Sequence, residues 1–142
     1  MKIKIDDGAF VPTRAHETDA GLDLYSPVDA MIGWTGSKTG NSVTIDTGVH
    51  VEIPKGYVGF LKSKSGLNVK HGIVSEGVID SGYTGSIAVK LYNHSDKMVF
   101  IQRGMKISQL VLLPIITPEL ELVDSLDETE RGDGGFGSTG MY

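Results

Sequence analysis

Short runs in which apolar and polar residues alternate dominate the chain, and they predict β-strands. The clearest alternation lies in residues 49–53 and 87–92, where valine, isoleucine and leucine occupy every second position. Glycine and proline turn signals separate the runs, and only Ser65–Lys70 is predicted as a short helix. Many short strands between turns indicate an all-β sandwich, jelly roll or barrel. Further strands are predicted at Met1–Asp6, Val43–Asp46, Tyr57–Leu61, Met98–Ile101 and Ser108–Leu113.

The domain organisation follows from the same pattern. A chain of 142 residues is long enough for one folded domain with its own core. We predict that residues 1–123 form this domain. In residues 124–142 acidic residues and then glycines take over, which predicts a flexible C-terminal arm. Residues 31–42 are predicted as an extended hairpin loop whose Trp34 caps the edge of the core.

Composition excludes several classes of function. The chain has no cysteine, so thiol chemistry, disulfides and cysteine metal sites are excluded, and its four histidines show no ligand spacing and are interpreted as surface or loop residues. A net charge of -5 argues against a general nucleic-acid binder. No apolar run is long enough to span a membrane, and the N-terminus alternates with period two, so a cytoplasmic protein is expected.

The segment Arg131–Gly140 has the composition of a phosphate-binding arm. Its five glycines leave backbone N–H groups free to approach an anion, and Arg131 offers a planar fork of donors. Ser138 and Thr139 add hydroxyl donors, and Phe136 offers a face for stacking on a base. The alternative is a disordered glycine-rich tail, which composition alone would favour.

Four further segments contain candidate catalytic or binding groups. In Gly77–Gly85, Asp80 could accept a proton from an attacking water and Tyr83 could pack against a sugar; alternatively, the aspartate only stabilises a turn. Ser65 and Gly66 open the predicted helix, where N–H groups attract phosphate, or the serine is an ordinary N-cap. Asp23 could hold a water of hydrated Mg²⁺, and Gln109 could position a water.

Five segments, in this order, resemble the five motifs of the trimeric dUTP diphosphatase (dUTPase) family, and the resemblance spans nearly the whole chain. The family resemblance implies a jelly-roll-like β-barrel that forms a homotrimer. Its three active sites would lie at subunit interfaces, each completed by a mobile C-terminal arm from a neighbouring chain. The matching segments are Ala20–Pro27, Lys64–Leu67, Gly77–Gly85, Arg103–Leu110 and Arg131–Gly140.

The resemblance also implies roles for single residues. Asp80 would activate the water that attacks the α-phosphorus of dUTP, which releases dUMP and pyrophosphate, and Tyr83 would stack beneath the deoxyribose. Gln109 and Asp23 would hold waters near the nucleophile or around Mg²⁺, the implied cofactor. The uracil would contact backbone of Gly77, Val78, Ile79 and Ala88 and would be covered by Phe136. The phosphates would contact Lys64, Ser65, Gly66, Arg131, Gly137, Ser138 and Thr139.

Two departures and two alternatives accompany this interpretation. At Val74 some bacterial relatives carry an asparagine whose side chain contacts uracil, so here that contact would have to come from backbone. The second family motif usually has arginine where this chain has Lys64, which keeps the charge but lacks the bidentate fork. A dCTP deaminase-like enzyme of the same fold would need an acid beside the pyrimidine, and Glu76 is the only acid in that region. A non-catalytic nucleotide-sensing protein could regulate a partner through the Trp34 loop or the arm.

Overall fold

In the described part of the chain, ten antiparallel strands and one short helix make up the fold. A computed structural model describes residues 1–135, so Phe136, Gly137, Ser138 and Thr139 lie outside the described residues. The elements are β1 (Lys2–Ile5), β2 (Gly21–Tyr25), β3 (Ala30–Ile32), β4 (Ser42–Asp46), β5 (Val49–Glu52), β6 (Tyr57–Lys62), α1 (Ser65–His71), β7 (Ile73–Ile79), β8 (Ala88–Asn93), β9 (Val99–Ile101) and β10 (Lys106–Pro114).

Six strands form a curled sheet in the order β2-β10-β6-β7-β8-β4, and two-stranded ribbons β1–β5 and β3–β9 accompany it. Alternate side chains of these strands point inwards and form one apolar core. Leu24, Ile45, Leu91 and Leu110 come from four strands of the main sheet, and each exposes at most 2% of its surface. The predicted all-β, jelly-roll-like fold is confirmed.

Three strands were not predicted. The strand β2 lies where only a functional motif was identified, and β7 includes the first part of the segment taken as a turn. The strand β3 occupies the start of the predicted 31–42 loop and pairs with β9. Trp34 lies outside the core cluster and exposes 39% of its surface, so the expectation that it caps the core edge is wrong.

The last strand ends at Pro114, and residues 115–135 contain neither helix nor strand. This segment leaves apolar side chains in solvent, among them Ile116, Leu120 and Leu122. Large apolar side chains exposed together mark surfaces that meet a partner. The division into residues 1–123 and 124–142 stays a prediction. No helix in the described part of the chain is long and apolar enough to cross a membrane.

Candidate active site

The strands β7 and β8 separate at one end and open a cleft between them. Their ladder pairs Ile73–Ser75 with residues 91–93 and then stops, while β7 stays paired with β6 and β8 with β4. The facing backbone edges of both strands are therefore available to a ligand beyond this point. A pocket of about 260 Å³ occupies the cleft, and it is lined by Val78, Ile79, Asp80, Tyr83 and Ala88.

The loop after β7 holds the Tyr83 ring in a fixed place. The Tyr83 amide donates to the Asp80 carbonyl at 3.0 Å, and its Oη donates to the Ser86 carbonyl at 2.8 Å. The ring lies directly on Gly85, where a Cβ would stand 2.5 Å from Oη. The Asp80 side chain is exposed at the pocket wall. Gly77 lies outside this pocket, against Leu61 in the sheet.

A second cluster surrounds the buried carboxylate of Asp23 on β2. Lys64 Nζ lies 2.5 Å from Oδ1, and Lys106 Nζ lies 2.8 Å from Oδ2. Burial would raise the pKa of Asp23, but hydrogen bonds from Lys106 and Lys64 outweigh it and hold this pKa below its ordinary value. The cluster is thus a carboxylate neutralised by two lysines, both of which retain partly exposed side chains.

Gln109 and the start of α1 complete this second cluster. Gln109 faces Asp23 across the β2–β10 pair, and its Nε2 donates to the Ser63 carbonyl at 3.1 Å. The helix N-cap is Lys64 and not Ser65, and it makes no side-chain capping bond. Ser65 and Gly66 are exposed in the first turn, and nothing lies within 4 Å of a Cβ built on Gly66. The space beside Gly66 is thus open, and the N–H groups of a first helical turn have no partner within the helix.

The residues around Asp23 could contact a metal ion only through the water molecules bound to it. Among residues 1–135 no group of three His, Cys, Asp or Glu side chains is placed to hold a metal. Both oxygens of Asp23 already accept from lysines, although carboxylate oxygens have further lone pairs that can accept from water. Mg²⁺ bound to a nucleotide takes its ligands from phosphates and waters, with few from protein. Asp23 therefore fits a water-mediated contact and not a direct ligand.

Strand register separates two groups of residues within one chain: Asp80 and Tyr83 at the pocket (the Asp80 cluster), and Asp23 with Lys64, Lys106 and Gln109 (the Asp23 cluster). Lys62 pairs with Glu76 and Gly59 pairs with Ile79, so Asp80 lies at the opposite end of the β6–β7 hairpin from Lys64. Glu76 on β7 lies opposite Lys62, and Asp80 is four residue steps further along β7. These four steps span about 13 Å. Arg131 belongs to neither cluster; its Nε donates within its own segment, to the Gly134 carbonyl.

Sequence analysis missed three contributors to these clusters. Lys106 was not recognised as a partner of Asp23, although its place on an apolar strand three residues before Gln109 was a usable signal. Gly21 was not recognised as the residue that makes room for Gln109, whose Oε1 would lie 2.3 Å from a Cβ there. His50 was interpreted as a surface or loop residue, but its side chain lies on β5, 19% exposed, between Asp6 and Thr84.

The fold and the two clusters define a class: all-β proteins with a small pocket at an open strand edge and a separate cluster of lysines around a buried carboxylate. Comparison with known proteins identifies the family. The dUTPase family model matches residues 7–140. The chain therefore belongs to the dUTPase family.

Individual relatives agree with this assignment. The deoxyuridine 5'-triphosphate nucleotidohydrolase of Clostridium acetobutylicum is 42% identical and is aligned over 99% of this chain and 97% of its own. The protein of the same name from Arabidopsis thaliana is also 42% identical, over 97% of this chain and 81% of its own. The solved Staphylococcus bacteriophage 80alpha dUTPase with dUPNHPP is 34% identical, with a TM-score of 0.86 over 98% of this chain and 97% of that one.

Proposed function

We propose that this chain hydrolyses dUTP to dUMP and pyrophosphate, with the uracil bound between β7 and β8. The observation that carries the proposal is the cleft where the β7–β8 ladder ends, because both strands there present backbone donors and acceptors to a planar base. Backbone groups of Val78, Ile79 and Ala88 read the base edge, and the close walls exclude the methyl group of thymine.

Asp80 and Tyr83 then serve the reaction at the mouth of this pocket. The Asp80 carboxylate is exposed at the pocket wall and takes the proton from the water that attacks the α-phosphorus. The Tyr83 ring, fixed by its bond to Ser86 and by Gly85, lies beneath the deoxyribose and excludes a 2′-hydroxyl. The chemistry needs positioning and charge neutralisation more than covalent catalysis.

The Asp23 cluster receives the triphosphate. Lys64 and the first turn of α1 face the phosphates, and Gln109, held by its bond to Ser63, orients a water. Mg²⁺ would neutralise phosphate charge when it is bound with the substrate, and Asp23 would contact its water shell. The related dUTPase of phage phi11 of S. aureus coordinates a structural Mg(II) ion. Arg131, with the segment beyond it, closes over the phosphates.

Because the two clusters lie at opposite ends of the β6–β7 pair, one nucleotide meets the Asp80 cluster of one chain and the Asp23 cluster of another in this proposal. A homotrimer places the Asp80 cluster of one chain against the Asp23 cluster of the next, with an arm from a neighbouring chain over both. The exposed apolar side chains of residues 115–126 support such an arm, since they gain cover on another chain.

Mixing inactive variants tests this division of the site. Asp80→Asn and Gln109→Ala each damage a different cluster, so trimers reassembled from equal amounts should regain intact clusters in about a quarter of the sites. Asp80→Asn mixed with Tyr83→Ala is the matched control, because both changes damage the same cluster and no recovery is expected. Equal recovery in both mixtures, or none in either, would contradict a site shared between chains.

Pyrophosphate release with Mg²⁺ from dUTP, dTTP, dCTP and UTP tests the activity itself. Release from dUTP alone is expected, and release from all four would contradict both proposed discriminations. A deaminase would release ammonia from dCTP, but Glu76 faces Lys62 at 3.0 Å and does not line the pocket. Related phage dUTPases control transfer of virulence genes by a G protein-like mechanism. A regulatory partner and a cytoplasmic location of this chain stay predictions.

A further inference from the structure

His50 connects the N-terminal strand to the loop that holds Asp80 and Tyr83. Its Nε2 lies 3.0 Å from Asp6 Oδ2, and its Nδ1 lies 2.9 Å from the carbonyl oxygen of Thr84. Thr84 directly follows Tyr83, so the imidazole is attached to the part of the loop that fixes the tyrosine ring. None of the five motif segments that resemble the family includes His50.

The two partners of His50 can only accept hydrogen bonds. A neutral imidazole has one N–H and would leave a lone pair facing either the carbonyl or the carboxylate, whereas the imidazolium donates to both. The geometry is therefore that of the protonated ring.

The groups around His50 favour the same state on balance, since the bonds with Asp6 and Thr84 outweigh the opposing charge of Lys4. Asp6 is its immediate neighbour and also binds Lys4 at 2.8 Å, Lys4 lies opposite His50 in the β1–β5 ladder, and Asp46 lies near it on the β4 side. The hydrogen bond with Asp6, and next the bond with Thr84, raise the pKa of His50 above its ordinary value of 6.5.

The rest of the loop is attached nearby by groups that do not titrate at neutral pH. Ser86 Oγ donates to Asp46, and Ile87 exchanges backbone bonds with Val49 and Thr47. These bonds lie after Thr84 in the chain. Thr84 directly follows Tyr83 and is the first residue of the loop after Tyr83 that binds β5. Loss of the bond between Thr84 and His50 therefore loosens Asp80–Tyr83, the part of the loop that lines the pocket.

We propose that His50 is a positioning residue whose imidazolium fastens the Asp80–Tyr83 loop through the Thr84 carbonyl, so that its deprotonation loosens this loop and lowers activity. The effect on activity rests on the proposed function, in which Asp80 and Tyr83 contact dUTP. The structural part of the proposal, a link between protonation of His50 and its bond to the Thr84 carbonyl, does not depend on the proposed function.

The pH profile of kcat/KM for dUTP tests the proposal. In the wild type, kcat/KM should fall about 3- to 10-fold as pH rises through the His50 pKa, the size expected for one charge-assisted hydrogen bond that is partly solvated. H50Q keeps a donor that does not titrate, so this phase should disappear. Asp6→Asn removes the charge that holds the proton, so the same fall should occur at lower pH.

His16→Gln is the matched control, since His16 also faces an aspartate, Asp19, but on an exposed loop and with 81% of its side chain in solvent. This variant should keep the wild-type profile. Superimposable profiles for the wild type and H50Q would overturn the proposal, as would an unshifted profile for Asp6→Asn.

A second measurement keeps the test valid if H50Q does not fold. In the wild-type protein, the carbonyl ¹³C shift of Thr84 should titrate with the imidazole of His50, observed by NMR with isotope labelling. A Thr84 shift that does not follow His50 would refute the structural link even in a fully active enzyme. Conversely, linked titration in a protein that does not cleave dUTP would refute the proposed function and leave the link intact.

Discussion

Gly85 sets the position of the Tyr83 ring, and replacing it with alanine should displace that ring. A Cβ at this position would lie 2.5 Å from Tyr83 Oη and 2.6 Å from Cζ. Since carbon atoms pack favourably at about 3.5 to 4 Å, the ring has to retreat by about 1 Å. The backbone cannot yield easily, because Ile87 and Ser86 join this loop to β5 and to Asp46.

The structure gives the size of the expected effect. A retreat of the ring breaks the hydrogen bond from Tyr83 Oη to the Ser86 carbonyl, which is 2.8 Å long. A neutral hydrogen bond contributes about 0.5–1.5 kcal/mol net, which corresponds to about 2- to 12-fold in the population of the correctly placed ring. We therefore expect kcat/KM for dUTP to fall by this factor in Gly85→Ala. Discrimination against UTP should also weaken, because the ring no longer fills the space of a 2′-hydroxyl.

Pyrophosphate release from dUTP and from UTP measures both effects. Gly82→Ala is the matched control in the same loop, because nothing lies within 4 Å of its Cβ and Gly82 has no positive φ. In a Tyr83→Phe background the hydrogen bond is already absent, so Gly85→Ala should cost less there than in the wild type. If Gly85→Ala and Gly82→Ala give the same kcat/KM and the same preference for dUTP, the assigned role of Gly85 is refuted.

Three other changes test the remaining parts of the site. Asp80→Asn keeps the shape of the side chain but removes the base, so turnover should fall about 10²–10⁴-fold while dUTP binding by calorimetry is kept; unchanged turnover would contradict the assigned role. Truncation after Asp127 removes Arg131 and should abolish most pyrophosphate release without lowering the thermal midpoint, whereas full activity would show that the arm is dispensable. Because folding lowers the pKa of Asp23, its negative charge stabilises the fold at pH values above 3.8, the ordinary pKa of the group. This stabilisation is lost as the pH falls through the pKa of Asp23 in the folded state. Urea unfolding of Asp23→Asn at fixed protein concentration should show a loss of about 1–3 kcal/mol at pH 7, because Lys64 and Lys106 lose a charged partner but stay partly solvated. The loss should shrink as the pH is lowered through the folded-state pKa of Asp23, and equal stability at pH 7 would contradict this reasoning.

Most strands were predictable because apolar and polar residues alternate regularly along them, and other strands were missed where this alternation is interrupted. The predictions at Val43–Asp46, Tyr57–Leu61 and Ser108–Leu113 agree with β4, β6 and β10 to within one or two residues, and the short helix is confirmed. The strand β7 was missed because Ser75 and Gly77 take inward positions between Ile73 and Ile79. Ser75 is tolerated in the core because its amide and hydroxyl bind hydroxyl groups of other segments, which no local pattern reveals.

The Asp23 cluster was only partly predictable for a related reason. A carboxylate that is 3% exposed would be unfavourable without partners, and its partners Lys64 and Lys106 lie far along the chain. Their proximity follows from the pairing of β2 with β10 and from the path of the chain after β6. The sequence showed that these charges exist, but only the pairing of strands shows that they neutralise one another.

The division of the site into two clusters follows from the same pairing. Motif order along the chain is the same whether the motifs meet within one chain or between chains, so spacing cannot distinguish these cases. The β6–β7 register favours motifs that meet between chains, because it places Asp80 and Lys64 at opposite ends of this strand pair. A loop could bend to bring them together, but β6, which is paired with β10 on one side and with β7 on the other, cannot. Under the proposed function, association between chains is then a condition of the reaction, and damage to one cluster should be compensated only by a chain in which that cluster is intact.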